Sequence, residues 1–174
     1  LTISKNESLA DIDGLSDLTT VWDAEFESND ALTNIDGLSN VSSFASLVID
    51  NNDALHDLDG LHNVSEITFG DLIIDNNDSL VDIHGLYNVT RLGVFWGDLS
   101  ICNNDSLPNV DGLVNISAVS GSLYINDNDS LVNVVGAHGI NQVGSMYWEW
   151  DHDGHFVGEL QLRQNSSLCQ SEAD

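Results

Sequence analysis

Apolar residues recur along this chain in fixed columns, aligned on one asparagine per repeat. That asparagine stands at Asn6, Asn29, Asn52, Asn77, Asn104, Asn128 and Asn165, so successive repeats span 23, 23, 25, 27, 24 and 37 residues. Five positions before it stand Leu1, Ala24, Leu47, Leu72, Leu99, Leu123 and Leu160, and three before it Ile3, Phe26, Ile49, Ile74, Ile101, Ile125 and Leu162. A spacing of two puts both on one face of a strand, so each repeat carries a short strand with an apolar inner side. Further columns follow at Leu55, Leu58, Leu61, Val64 and Ile67 and their equivalents in the neighbouring repeats.

Repeats of this length are single supersecondary units that stack on one another. Strands at the same phase can pair in parallel without long crossovers only if the chain coils and each circuit advances one strand spacing, about 4.8 Å. The pattern therefore predicts a mainly β fold, a parallel β-helix of about seven turns forming one solenoid domain over residues 1–174. The asparagine column reads as an inward ladder whose amides satisfy backbone groups left open at a tight corner. A glycine column, Gly14, Gly37, Gly60, Gly85, Gly112 and Gly136, reads as a second corner that needs either positive φ or close backbone approach. The first turn fits every column and exposes a strand edge, so something is expected to cover it. Because the chain opens inside a strand and without methionine, it reads as a processed protein or part of a longer one.

The charge balance changes the picture outside the tube. Lys5, Arg91 and Arg163 face 29 acidic residues, for a formal net charge of −26. Such a field disfavours nucleic acid and anionic membrane and favours cations or basic partners. Salt or divalent ions should relieve its self-repulsion. No apolar run reaches the length of a membrane span, and no signal-peptide pattern is present. Cys102 and Cys169 fall two turns apart, roughly 10 Å along the axis, too far for a disulfide between them.

Variation concentrates in the loop that leads into each strand. Trp22, Phe69 and Trp96 lie there, and an insertion at 144–159 in the sixth turn adds Tyr147, Trp148 and Trp150. Solenoid insertions map to one side, often the binding side. These aromatics suit stacking on a sugar ring or a protein partner; they also suit a lid folded over the edge of the tube. On the strand face, Val48, Ile73 and Tyr124 form a second candidate contact. Four asparagines in N-x-S/T sequons, Asn40, Asn63, Asn88 and Asn115, stand eleven residues past the ladder and should point outward. They are candidate N-glycosylation sites, or else a by-product of repeat chemistry. Sequons at ladder positions should be buried, out of reach of a glycosyltransferase.

Metal chemistry is weakly supported. Asp151, His152, Asp153 and His155 in the insertion lack any metalloprotease or structural-zinc spacing. An Asp column just after the ladder, at Asp30, Asp53, Asp78, Asp105 and Asp129, suits Ca²⁺ between turns or, the simpler account, local capping of backbone N–H groups. Glu25, Glu27, Asp50 and Asp75 stand on the strand face as paired carboxylates do in polysaccharide-cleaving β-helices, but without basic residues to hold a uronate. The chain reads as noncatalytic.

The repeat L-x-I-x-x-N-x-x-L-x-x-[IL]-x-G-L-x-x-[VL]-x-x-[VIL], seen from Leu72 to Leu92, resembles the receptor L domain, a leucine-rich β-helix of surface receptors, and the related repeats of fungal cell-wall proteins. The closing Asn165-Ser166-Ser167-Leu168-Cys169 resembles that family's last turn. The resemblance implies right-handed coiling, an extracellular or cell-surface location, and a binding or adhesion role without cofactor, toward a protein or glycan partner. The alternative is a glycosylated structural subunit of an extracellular filament or sheath, associating with copies of itself.

Overall fold

The structure, a computed structural model, describes residues 1–93, 96–144, 160–163 and 165. In chain order the strands are β1 (Thr2–Ser4), β2 (Asp23–Glu27), β3 (Ser43–Phe44), β4 (Ser46–Asp50), β5 (Glu66–Ile67), β6 (Leu72–Asp75), β7 (Arg91–Leu92), β8 (Leu99–Cys102), β9 (Ala118–Val119), β10 (Leu123–Asn126), β11 (Gln142–Val143) and β12 (Leu160–Arg163). They form two all-parallel sheets. The longer has seven strands in the order β1-β2-β4-β6-β8-β10-β12, and the shorter has five, β11-β9-β7-β5-β3. Single 3-10 turns, such as Asp59–Leu61 and Asp111–Leu113, form the remaining side. The chain is a parallel β-solenoid.

Register follows the sequence columns. Leu47 pairs with Leu72, Leu72 with Leu99 and Leu99 with Leu123, while Ile49, Ile74, Ile101 and Ile125 pair in the same way. These side chains are fully or almost fully buried and merge into one continuous core with Phe26, Phe44, Ile67 and Val119. Burial of a Leu or Ile contributes roughly 1.5–3 kcal/mol, and the columns repeat that gain in every turn. The end strands differ: Leu1, Leu160 and Leu162 are 40%, 58% and 45% exposed. The uniform inward set expected of every turn therefore holds for the interior turns only.

The ladder is built as the sequence predicts, with one exception. Asn29, Asn52, Asn77, Asn104 and Asn128 are completely buried and Asn165 nearly so. Each side chain reaches back to the preceding turn. Asn77 Oδ1 accepts the backbone N–H of Asn52 at 3.1 Å, and Asn77 Nδ2 donates to the carbonyls of Ile49 at 3.0 Å and Asp75 at 2.8 Å. Asn6 joins the chain of bonds through Asn29 Oδ1 but is itself exposed, because no described turn packs outside it. Its sequon is thus the accessible one among the ladder positions described.

The glycine corner takes the second of the two forms expected of it, close backbone approach. The recurring glycines have negative φ and sit in the 3-10 turns. A Cβ at Gly37, Gly60, Gly85, Gly112 or Gly136 would collide with the carbonyl oxygen of Ile12, Ile35, Leu58, Ile83 or Val110 one turn back, so close approach is their reason. Positive φ falls instead just before the ladder asparagine, at Lys5, Ser28, Asn51, Asn76, Asn103 and Asp127, with values from 55° to 59°. Asn and Asp tolerate this left-handed region better than other residues with a Cβ.

Capping also moves. The side chains of Asp30, Asp53, Asp78 and Asp105 are exposed and accept no hydrogen bond from any described residue, so the expected capping role is not theirs. It belongs to Asp11, Asn34, Asp57, Asp82, Asn109 and Asn133, each of which accepts the N–H two residues on, at the entry to a 3-10 turn. An Asx side chain reaches an N–H two positions ahead with little strain.

The ladder makes a sharp prediction. Asn77→Ala leaves the Asn52 N–H without its acceptor and takes one donor from each of the Ile49 and Asp75 carbonyls, which should cost about 3–5 kcal/mol in urea unfolding, whereas Asn63→Ala, on the surface, should cost about 1 kcal/mol or less. Gly85→Ala should destabilise by about 2 kcal/mol or more, while Gly14→Ala, which meets nothing within 4 Å, should be neutral.

Candidate functional site

The corner where the chain turns into the long sheet is held by backbone stacking. Ala45 N–H donates to the Trp22 carbonyl at 2.6 Å, and Gly70 N–H to the Ala45 carbonyl at 2.8 Å. The residues at this phase are Trp22, Ala45, Gly70, Gly97 and Gly121. From the third of them onward the space closes: a Cβ on Gly70 would meet the Ser46 Cβ at 2.9 Å, and one on Gly97 the Gly70 carbonyl oxygen at 2.6 Å. The aromatic residue accordingly shifts one place earlier, to Phe69 and Trp96.

This arrangement brings Trp22 and Phe69 together. Their strands lie two spacings apart, roughly 9.6 Å at the backbone, yet their ring centroids are 5.7 Å apart and the planes 21° from parallel. The small Ala45 between them lets both side chains lean inward. The pair does not fold over the tube: Trp22 is 68% exposed, Phe69 51% and Trp96 61%. The lid reading is therefore overturned for these three. Tyr147, Trp148 and Trp150 lie outside the described residues, as do Asp151, His152, Asp153, His155 and Cys169.

Beside the aromatics the outer face of the long sheet is acidic at one end. Strand β2 presents Asp23, Glu25 and Glu27, and Glu27 is in register with Asp50, which is in register with Asp75. Further along, the same rows hold Ser100, Cys102, Tyr124, Asn126, Gln161 and Arg163. Val48 and Ile73 are neighbours, but Ser100 separates Ile73 from Tyr124, so the three do not form one patch. All three are half-buried.

Several carboxylates are already engaged. Asp71 Oδ1 accepts the Asp98 N–H at 2.9 Å, and Asp98 Oδ1 the Ser122 N–H at 2.6 Å. Asp75 accepts from the Ser100 hydroxyl at 3.0 Å and the Cys102 N–H at 3.0 Å. Burial nonetheless raises the Asp75 pKa, with Asp50 adding to the effect. Burial also raises the Cys102 thiol, which is free and within 3.3 Å of the Ser100 hydroxyl. A raised pKa keeps that thiol protonated and a poor nucleophile.

The outward sequon row is in place and has a structural function. Asn40, Asn63, Asn88 and Asn115 are exposed, and each Nδ2 donates to a carbonyl of the preceding turn, at Ser16, Ser39, His62 and Tyr87, over 2.7–2.8 Å. Each amide has two N–H groups; one is used in this outer ladder. Among the described residues no cluster of three or more metal-ligating side chains occurs, and no helix is long and apolar enough to cross a membrane. Comparison of the chain with protein-family models, curated proteins and solved structures gives no match.

Acid groups on this surface work against the fold at neutral pH. Asp36, Asp53, Asp75 and Asp105 all have raised pKa values, first through lost solvation, which is fuller at the half-buried Asp75 than at the exposed Asp36, Asp53 and Asp105; repulsion from neighbouring carboxylates such as Asp57, Asp78, Asp50 and Asp129 adds to it. A carboxyl raised above its unfolded value of about 3.9 binds its proton more tightly when folded. Its contribution to stability is present below that value and lost as pH rises through the folded pKa. The thermal midpoint should therefore climb as pH falls from 7 toward about 4, and at pH 7 should climb with salt up to about 1 M. A midpoint that falls steadily on acidification would contradict this assignment.

Proposed function

We propose that this solenoid is a noncatalytic binding or adhesion module of the extracellular or cell-surface kind, akin to the receptor L domains it resembles, and that its contact surface is the aromatic corner. The observation that carries the reading is the Trp22–Phe69 pair, stacked at 5.7 Å while both rings stay more than half exposed. An exposed tryptophan forgoes the burial that normally stabilises it, and a flat, pre-ordered aromatic surface binds with little loss of side-chain entropy. The hydrogen-bonded backbone beneath it keeps the platform rigid. The carboxylates of Asp23, Glu25, Glu27 and Asp50 along β2 and β4 supply polar contacts around an apolar centre, the usual anatomy of a recognition surface.

The test is binding of the purified protein to arrays of immobilised oligosaccharides and peptides of differing charge. Saturable binding to at least one class is expected, with Trp22→Ala/Phe69→Ala weaker by roughly tenfold at an unchanged thermal midpoint. Equal binding by the double variant would remove the corner from the interface. Regular fibres in negative-stain microscopy, with no binding to any class, would favour a structural filament subunit instead.

A further inference from the structure

We infer that the ligand class of this corner is a polypeptide segment rich in arginine, an inference that rests on the binding-module reading above. The charge of the chain selects the occupant. With a net charge of −26 and three Lys and Arg in all, the surface attracts cations over a long range and repels acidic glycans and phosphate polymers.

Locally, the corner has the groups that turn this general field into a site. Asp23 follows Trp22 directly, and both Asp23 and Glu25 are exposed. Their carboxylates accept no hydrogen bond from any described residue, unlike those of Asp71, Asp98 and Asp75, which are taken up by N–H and O–H donors of the next turn. Among the described residues, the ion partner of Glu27 is Lys5, at 4.0 Å, with the lysine side chain 73% exposed. Asp23 and Glu25 thus offer open carboxylates directly after the exposed Trp22 in the chain.

Arginine fits both halves. Its planar guanidinium stacks on an aromatic face, and its forked N–H donors match a carboxylate. Lysine fits the carboxylate as a point charge without the stacking. Spacing points to an extended chain: Asp23, Glu25 and Glu27 project from one side of β2 at intervals of about 6.8 Å, the interval between alternate side chains of a second extended segment. Such a segment lying along β2 would set one arginine over the Trp22–Phe69 pair and the next ones against Glu25 and Glu27.

The test uses the whole chain and fluorescence anisotropy of a labelled peptide of alternating arginine and serine, beside lysine–serine and glutamine–serine peptides. The arginine peptide should bind, the lysine peptide several-fold more weakly, and the glutamine peptide not at all. Trp22→Ala/Phe69→Ala should weaken arginine-peptide binding roughly tenfold although net charge is unchanged. Asp23→Asn/Glu25→Gln should do likewise, whereas Asp59→Asn/Asp111→Asn, which removes the same charge from the 3-10 side, should leave it within about twofold. Thermal midpoints verify that each variant is folded. Arginine-peptide binding that is indifferent to the aromatic pair, or equal for arginine and lysine, would overturn the inference and leave only the general field. A neutral oligosaccharide bound through Trp22, with no peptide binding, would overturn the arginine assignment while preserving the binding module; no ligand dependent on Trp22 would remove both.

Discussion

A coiled chain must turn a corner in every circuit, and at that corner peptide groups leave the sheet with no strand to bond them. Here the column from Asn29 to Asn128 solves the problem from inside. Each amide oxygen takes the N–H of the asparagine one turn back, and each amide nitrogen donates to a carbonyl of the preceding turn and, from Asn52 onward, to one in its own turn as well. Burying such groups unpaired would cost about 1–3 kcal/mol apiece. Paired, they lock successive turns into register and fix which residues face the core. The left-handed residue before each asparagine is the geometric partner of this arrangement, since it swings the amide inward at the end of the strand.

Because the side chains that hold the turns together from inside are neutral amides and aliphatics, the interior formed by the described residues carries no charge that depends on pH. Most acidic residues crowd the outside, where a few, such as Asp71 and Asp98, also bond N–H groups of the next turn. Lost solvation in that crowd, with mutual repulsion added, raises the pKa of groups such as Asp53 and Asp105, so the surface is a liability to the fold rather than a support. That a rigid tube tolerates it gives the surface latitude for recognition. The same rigidity explains why an exposed ring pair can persist at the Trp22 corner, where the backbone stack leaves no room for collapse inward.

Much of this was readable from the residues. Columns such as Leu47, Leu72, Leu99 and Ile49, Ile74, Ile101 declare a two-residue period and a repeat together, and a lone polar residue kept at one phase among them can only be a ladder. The shorter sheet was not legible, because strands of two residues such as Glu66–Ile67 show no period. The end turns escaped as well: Asn6 and Leu1 carry the repeat signature but have no described turn outside them to bury it. Two features were missed although their signal was present. The run Asn51, Asn76, Asn103 marks the left-handed position, and Asp57, Asp82, Asn109 mark the caps, each an Asx column with its own phase. The stacking of Trp22 on Phe69 needed the structure, since the residues differ in phase by one and meet only because Ala45 is small.

Hydrogen exchange at single-residue resolution tests the ladder most directly. The backbone N–H groups of Asn52, Asn77 and Asn104 donate to side-chain oxygens of the following turn, so they should exchange as slowly as the core strand amides of Ile49 and Ile74, and far more slowly than that of Asn6. Exchange at those three amides as fast as at the exposed Asp53 or Asp78 would mean that the amide column does not hold the turns together.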